Sequence, residues 1–538
     1  MNTKNPFPYI DQNKNSLDQL ISHLKLAQHF FNKKHKNTSK IPITPFNYKK
    51  ELKGEKIPEN GKCANQVYEA LSEIIEGSFK PESENALFNM IPTPITETTT
   101  ASLLMQIHNN NAIMDSYGGK SILFEQKVAR SIGSLIGWKK AYGISCNGGK
   151  ITMFYAIKFA IQQLVQDSYE NGIPNDIVIL VSGGAHYSIE HTCSLVGLGS
   201  KNCIRVPIGS SNGMSAKSLE AVFTDQIQKG KRVAAIISCG GTTLDFIHEN
   251  TEVVYNAMQK VVMENQLSYT PYLHLDSVIG WLWFTFINET RETIRSLTND
   301  SLITDKLVHT LTKLSKIKKF DSVGIDFHKT GLCPYSSSFF VAKKERIVSD
   351  EKLSSKNYGE IRAFNYTLEN TRSSSGIASA WTSMQIMGIK GYQKYLIALF
   401  KASKILSEAI DHTHHFKVIN LASKGWEIIF TINHFKLKRW FGDNYDNKTI
   451  SESFIKYVWK KIDEGEDLPL FSIIKNYGEW FGKNDGHAFI IYNMNICLSH
   501  KTARQIANDI AHQLTLFKKD ITEGKTKLLI QELETPIR

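Results

Sequence analysis

Asp321-Ser-Val-Gly-Ile-Asp-Phe-His-Lys-Thr330 reads as a strand that ends in chemistry. Its first half alternates and carries Val323 and Ile325, the pattern of a short buried strand. Asp326, His328 and Lys329 then arrive together at its terminus. In an open α/β sheet the ligand crevice lies outside the carboxyl ends of the strands, so a lysine placed there leaves the sheet at the crevice. An amine among apolar neighbours is disfavoured as a cation and becomes a better nucleophile. Taken alone, a lysine just past a strand is an ordinary solvated side chain. The groups upstream change that reading.

Upstream of this stretch, strand and helix patterns alternate. Strands are expected over Ala141–Ser145, Asp176–Ser182 (DIVILVS), Cys203–Pro207, Val233–Ser238 (VAAIIS) and Tyr272–Asp276 (YLHLD). Helices are expected after Gly149 and over Thr192–Leu198, Ser218–Lys229 and Glu252–Asn265. The alternation predicts an α/β fold with a mostly parallel sheet and helices on both faces. Near-continuous apolar strands such as Asp176–Ser182 suit a sheet covered on both sides. Five strand ends then carry Gly148 and Gly149, His186, Thr242 and Thr243, Asp276, and Lys329, and this topology predicts that they converge.

Each group has a chemical reading beside a bland one. Glycines at a strand-to-helix turn let the backbone approach an anion, so a phosphate would sit on the amides of Gly148, Gly149 and Lys150; such pairs are also simple turns. His186 offers a flat ring for stacking, or is an ordinary loop histidine. Thr242 and Thr243 donate to a ring oxygen or cap a turn. Asp276 at a buried strand end is costly to ionise unless a cation faces it, and a protonated heterocyclic nitrogen is such a cation. Jointly the set matches the phosphate, ring face, pyridine nitrogen and aldehyde of pyridoxal 5'-phosphate, one group for each.

The flanks carry less chemistry. Residues 1–95 are polar and Lys/Asn-rich, with amphipathic helical patches at Leu17–Phe31 and Val67–Ile75, and read as a packing arm. Residues 96–390 form the large domain, opening with a helix over Ala101–His108, a polar break at Asn109–Asn111, a turn at Gly118 and a helix over Ser121–Ile136. Residues 391–538 form a small α+β domain, with antiparallel strands within Gly425–Phe435 and His487–Ser499 and helices over Lys401–Asp411 and His500–Lys518. The polar segment Ser349–Arg362 has the composition of a lid. Arg372 is expected to meet an anionic group from a partner subunit or to pair on the surface.

Composition narrows the class. The net charge of +12 is spread along the chain and gives no argument for nucleic-acid binding. Seven scattered cysteines without a CxxC point away from disulfides and zinc, towards a reducing compartment. The start MNTKNPFPYIDQNKN has no apolar core of a signal peptide, and no run approaches the ~20 residues of a membrane span. A cytoplasmic protein without membrane or nucleic-acid partners is expected.

Over roughly residues 90–400 the chain resembles the group II pyridoxal-phosphate-dependent decarboxylases, nearest to the tyrosine and aromatic amino-acid decarboxylase branch. HYSIEHTCSLVGLG resembles the family's His-x-Ser stretch, which makes His186 the ring-stacking histidine. HLDSVIGW is similar to its His-x-Asp-Ser/Ala stretch, which makes Asp276 the pyridine partner with Ser277 beside it. DSVGIDFHKTGLCPYSSS resembles its Asp-x-His-Lys segment, which makes Lys329 the Schiff-base lysine and His328 a phosphate neighbour. Lys150 and Ile151 stand where the family has Thr and Glu, and Trp281 where a second glycine is usual. The resemblance implies the aspartate-aminotransferase-like type I fold, a homodimer with interface active sites, decarboxylation of an L-amino acid to an amine, and a loop tyrosine as proton donor, here Tyr358. The same scaffold also fits oxidative deamination to an aldehyde or a carbon–carbon lyase. A non-catalytic binding protein would be expected to lack Lys329 or Asp276, and both are present.

Overall fold

The computed structural model describes residues 17–34, 46–208, 213–343, 361–442, 445–477 and 486–528. Tyr358 lies outside the described residues. The central sheet has seven strands: β1 (Tyr142–Cys146), β2 (Ile177–Ser182), β3 (Cys203–Val206), β4 (Arg232–Cys239), β5 (Tyr272–Asp276), β6 (Ser322–Asp326) and β7 (Ser338–Ala342). Their order is β1-β7-β6-β5-β4-β2-β3. The pairs from β6 through β3 are parallel, while β7 runs antiparallel to both β6 and β1. Every residue of β2 is buried, as a parallel strand covered on both faces requires.

Two details correct the reading of the Asp321–Thr330 stretch. The strand ends at Asp326, and Phe327–Thr330 is a single helical turn. Lys329 therefore does not end a strand; the turn brings it back over Asp326, three residues earlier. The second detail is β7, a fully buried run Ser-Phe-Phe-Val-Ala that pairs on both sides.

The small domain is a four-stranded antiparallel sheet in the order β10-β11-β9-β8. Its strands are β8 (Phe416–Val418), β9 (Ile428–Ile432), β10 (Ser472–Ile474) and β11 (Ala488–Ile491). The helices Asn447–Asp463 and His500–Thr522 pack with it around Phe416, Phe430, Phe454, Phe471 and Phe489. The helix Ser375–His412 links the two cores and breaks at Gly388, whose φ of 55° any other residue adopts with strain. Ile377 and Ala380 before the break belong to the large core, and Ala402 and Leu406 after it to the small one. Part of the N-terminal stretch also joins the small domain: Leu87 is buried there, its N–H donating to the Leu470 carbonyl at 3.0 Å. The helices Leu17–Lys34 and Ala64–Leu71 have no buried residue. Among the described residues no helix is long and apolar enough to cross a membrane, and no cluster of side chains has the make-up of a metal site.

The small domain grips the loop after β4. Asp245 and Phe246 both have positive φ, 58° and 42°, a costly pair outside glycine. The Tyr477 hydroxyl donates to both Asp245 oxygens at 2.9 Å, the Trp426 ring packs 4.3 Å from Phe246, and the Tyr492 hydroxyl donates to the Thr243 carbonyl. Burial pushes the Asp245 carboxyl up to about 6. Burial, and Asp245 nearby, raise Glu427 as well, although Ser423 and Asn420 donate to it at 2.5 and 3.1 Å. A folded-state carboxyl held above its unfolded value loses stability as pH rises through that interval, because the unfolded chain releases its proton first. Glu427→Gln is therefore expected to match the wild type in stability below about pH 4, to gain on it as pH rises towards about 8, and to hold a constant lead above that. Denaturant melts over a pH series measure this; a gap that stays constant with pH would refute the buried carboxyl's role.

Candidate active site

Parallel pairing places the strand ends side by side. Asp276 ends β5 opposite Gly324 of β6, and Cys239 of β4 lies opposite Asp276. The helical turn after β6 carries the Lys329 amine to 2.9 Å from the Asp326 carboxylate. That amine is thus faced by a carboxylate instead of standing among apolar groups alone. Asp326 is 1% exposed, and its other oxygen accepts from the Ser338 hydroxyl at 2.6 Å, so β7 fixes the carboxylate's orientation.

Asp276 and His186 both feel the Lys329 charge. Burial pushes the Asp276 carboxyl up to about 6, Lys329 draws it down and Asp326 raises it again. Its one local donor is the Val278 N–H at 3.4 Å, so the carboxyl has capacity for a cationic partner. Burial lowers the His186 pKa, and the charges of Lys329, Lys150 and Arg205 lower it further, so the ring is kept neutral. Its Nδ1 lies 2.8 Å from the Ser188 hydroxyl and 3.2 Å from the Ser188 N–H, and Ser188 so orients the ring. Sequence reasoning missed Arg205 on β3, which donates to the Gly183 and Ala185 carbonyls at 2.9 Å and to Glu190 at 2.5 Å. It holds the loop that presents His186. A half-buried arginine on an edge strand gives no motif by which to find it.

The glycine turn also forms. Gly148 has φ of 103°, and Gly149 opens the helix Gly149–Leu164, whose first N–H groups have no intrahelical acceptor. A Cβ on Gly149 would lie 3.0 Å from Asp326 and 3.1 Å from Val278, so any larger residue would press on both strand ends. The Lys150 amine sits 2.9 Å from His191 Nδ1. The Ser277 hydroxyl is buried without a partner. Thr242 is engaged locally: its hydroxyl donates to the Leu244 carbonyl and accepts the Ile247 N–H at 2.9 Å, a turn cap. Thr243 is held through its carbonyl by Tyr492. His328 is walled in, its ring 4.5 Å from Tyr335, Nδ1 at 3.2 Å from the Ser337 carbonyl and Nε2 at 3.5 Å from Asp326. Burial lowers its pKa. Trp281, instead of crowding the site, is buried in the core against Phe327 and Tyr392.

Arg372 departs from expectation. It is 5% exposed and donates to Glu125 at 2.7 Å and to the Ala112 carbonyl at 2.9 Å, within its own chain and away from the surface. Glu125, fully buried, also accepts the Ser145 N–H at 2.7 Å. The pair ties the Asn109–Asn111 break and β1 together beside the glycine turn.

A glycine-lined helix start, an uncommitted carboxyl and an orphaned hydroxyl fit a phosphorylated pyridine aldehyde, and fold and site define a type I pyridoxal-phosphate enzyme. Residues 45–289 match the pyridoxal-dependent decarboxylase conserved domain, a span that contains His186 and Asp276 and stops before Lys329. That span is a little under half of the chain, and over it the chain is similar to the pyridoxal-dependent decarboxylases, whose cofactor is pyridoxal 5'-phosphate. It is 23% identical over 402 residues, 74% of its length and 90% of the other's, to a "Probable L-tyrosine/L-aspartate decarboxylase" of Methanosphaera stadtmanae. It is 23% identical to the human cysteine sulfinic acid decarboxylase over 43% of this chain and 46% of that one. Among solved structures, mouse CSAD superposes with a TM-score of 0.74 at 15% identity, over 94% of this chain and all of that one. The Rhodiola rosea 4-hydroxyphenylacetaldehyde synthase does so with a TM-score of 0.71 at 13% identity, over 95% of this chain and all of that one. Both likenesses concern the fold.

Removing Arg372 would leave Glu125 charged, buried and unpaired. Arg372→Met is expected to lower stability by about 3–5 kcal/mol. Adding Glu125→Gln should restore part of it, measured by urea denaturation; a single variant within about 0.5 kcal/mol of wild type would contradict the pairing.

Proposed function

We propose that this chain decarboxylates an L-amino acid to its amine and CO2, with Lys329 joined to the cofactor as a Schiff base. The observation that carries the reading is the Lys329 amine, paired with Asp326 at the end of β6 and near enough to the Asp276 carboxyl and the His186 ring for its charge to act on both. When bound, pyridoxal phosphate supplies an electron sink for the substrate bond held perpendicular to its ring. Asp276 holds a proton on the pyridine nitrogen and so keeps that sink strong. The neutral His186 ring stacks on the cofactor face without adding a charge that would compete with Asp276. The amides of Gly148, Gly149 and Lys150 receive the phosphate at the positive end of their helix. Thr242, Thr243, Ser277 and His328 complete the walls. The proton that replaces the carboxylate is assigned to Tyr358, in the polar segment 349–362.

The relatives are named for tyrosine, aspartate, glutamate and cysteine sulfinic acid, so acidic and aromatic L-amino acids form the first substrate panel. A homodimer is part of the proposal: the amphipathic arm helices leave Leu17, Ile21, Leu24, Val67 and Leu71 exposed in a single chain, as an arm reaching a second subunit would. Buried and unpaired cysteines suit a cytoplasmic setting.

Mass spectrometry of products from that panel tests the reading. CO2 with the amine supports it, whereas an aldehyde with hydrogen peroxide would replace it by oxidative deamination. Lys329→Ala should abolish borohydride-stable attachment of the cofactor and lower turnover at least about a thousandfold. Asp276→Asn should retain cofactor but lose about a hundredfold or more in turnover; full activity would remove Asp276 from its role. Because the Asp276 carboxyl takes up its proton at about 6 and then no longer faces the pyridine nitrogen as an anion, cofactor affinity of the wild type should fall as pH drops below that value. The dependence should vanish in Asp276→Asn, read by equilibrium dialysis.

A further inference from the structure

The Asp326 carboxylate occupies an odd place for an anion. It ends β6, is 1% exposed, and touches the Lys329 amine at 2.9 Å, His328 Nε2 at 3.5 Å and the Ser338 hydroxyl at 2.6 Å. Three partners from two elements fix it. Both of its oxygens lie against Gly149, 3.0 and 3.3 Å from where a Cβ would stand. Gly149 is the first residue of the 16-residue cradle helix, whose free N–H groups and dipole attract anions. A resident carboxylate therefore borders the place a phosphate would enter. Its charge opposes a second anion there, and the nearest cation, Lys329, is already engaged with it.

We propose that Asp326 is a specificity-determining charge gate: it holds Lys329 in position and keeps free inorganic anions out of the Gly148–Lys150 cradle. The inference rests on the reading of that turn as the cofactor's phosphate site and deepens it. A free phosphate meets the carboxylate with no compensating gain. A ligand that also carries an aldehyde gains a covalent bond to Lys329: the ammonium gives one proton to the Asp326 carboxylate beside it, the amine so freed adds to the carbonyl carbon, and the carbonyl oxygen leaves as water with the two remaining amine hydrogens. The site thus retains a phosphate only on a molecule the lysine captures, which matters wherever inorganic phosphate far exceeds the cofactor.

The test uses the full-length cofactor-free protein and inorganic phosphate as the probe, titrated by calorimetry. Asp326→Asn and Asp326→Ser remove the charge, so they should bind phosphate about tenfold tighter than the wild type, since the repulsion disappears and the Lys329 ammonium is released. Asp326→Glu keeps the charge and should bind as weakly as the wild type. A merely structural loss at this position would weaken binding instead. Equal affinity in the wild type and in the folded Asn or Ser variant, or no binding in either, overturns the gate. Borohydride fixation of pyridoxal phosphate on the wild type, with the modified residue mapped by mass spectrometry, is scored separately. Failure there would overturn the functional reading while leaving the phosphate titration to decide the role of Asp326.

Discussion

Charge buried at the carboxyl ends of parallel strands is the constraint on which this molecule turns. Asp276, Asp326 and Lys329 meet where the sheet gives little water to stabilise any of them. Two carboxyls and one amine cannot all be satisfied together by pairing. Lys329 is committed to Asp326, and Asp276 is left with one weak backbone donor and a proton affinity raised by burial. The pattern is specific: the group with unused capacity is the one proposed to meet a ring nitrogen. Strain of this kind is tolerated because the rest of the sheet, with β2 and β4 almost wholly buried, supplies an excess of apolar packing.

Much of this arrangement was legible in the residues because parallel strands covered on both faces have a strong apolar signature. Strands β2 to β6 fall within a residue or two of their expected places, since Ile, Val and Leu runs bounded by glycine have few other readings. β7 was not legible. Its apolar run Phe339-Phe340-Val341 is short and follows a serine-rich stretch, and its antiparallel place between β1 and β6 depends on long-range pairing that no local pattern encodes. The pairing of Lys329 was not legible: its contact with Asp326 exists because Phe327–Thr330 closes one helical turn, and four residues carry no periodicity. Arg372 was misplaced for the opposite reason. An arginine is read as exposed by default, and only the fold shows that Glu125, far away in sequence, waits for it in the interior.

The small domain contributes by shaping the loop between β4 and the next helix, away from the reacting groups. Positive φ at Asp245 and Phe246 would relax if the loop were free. Tyr477, Tyr492 and Trp426 hold it, and Gly425 permits the close approach, because a Cβ there would collide with the Phe246 ring. The hydroxyl of Thr242 is consumed in the same turn. The backbone position of Thr242 and Thr243 is therefore set by the other domain.

Shared fold does not fix the fate of the bond broken. Structures with 12–15% identity and TM-scores of 0.71–0.74 include a tryptophan decarboxylase and an aldehyde synthase, so the sheet and its strand ends serve more than one outcome. What selects the outcome is which substrate bond stands perpendicular to the ring, and hence which groups grip the substrate carboxylate and side chain. In this chain the polar break Asn109–Asn111 is set by the buried Arg372–Glu125 pair and by Ser374, whose hydroxyl donates to Asn110 at 2.5 Å. A buried ion pair contributes little net stability compared with apolar packing, but it admits one geometry where packing admits several. Its presence between the Asn109–Asn111 break and β1 fixes the course of the chain that leads into the Gly148–Gly149 turn.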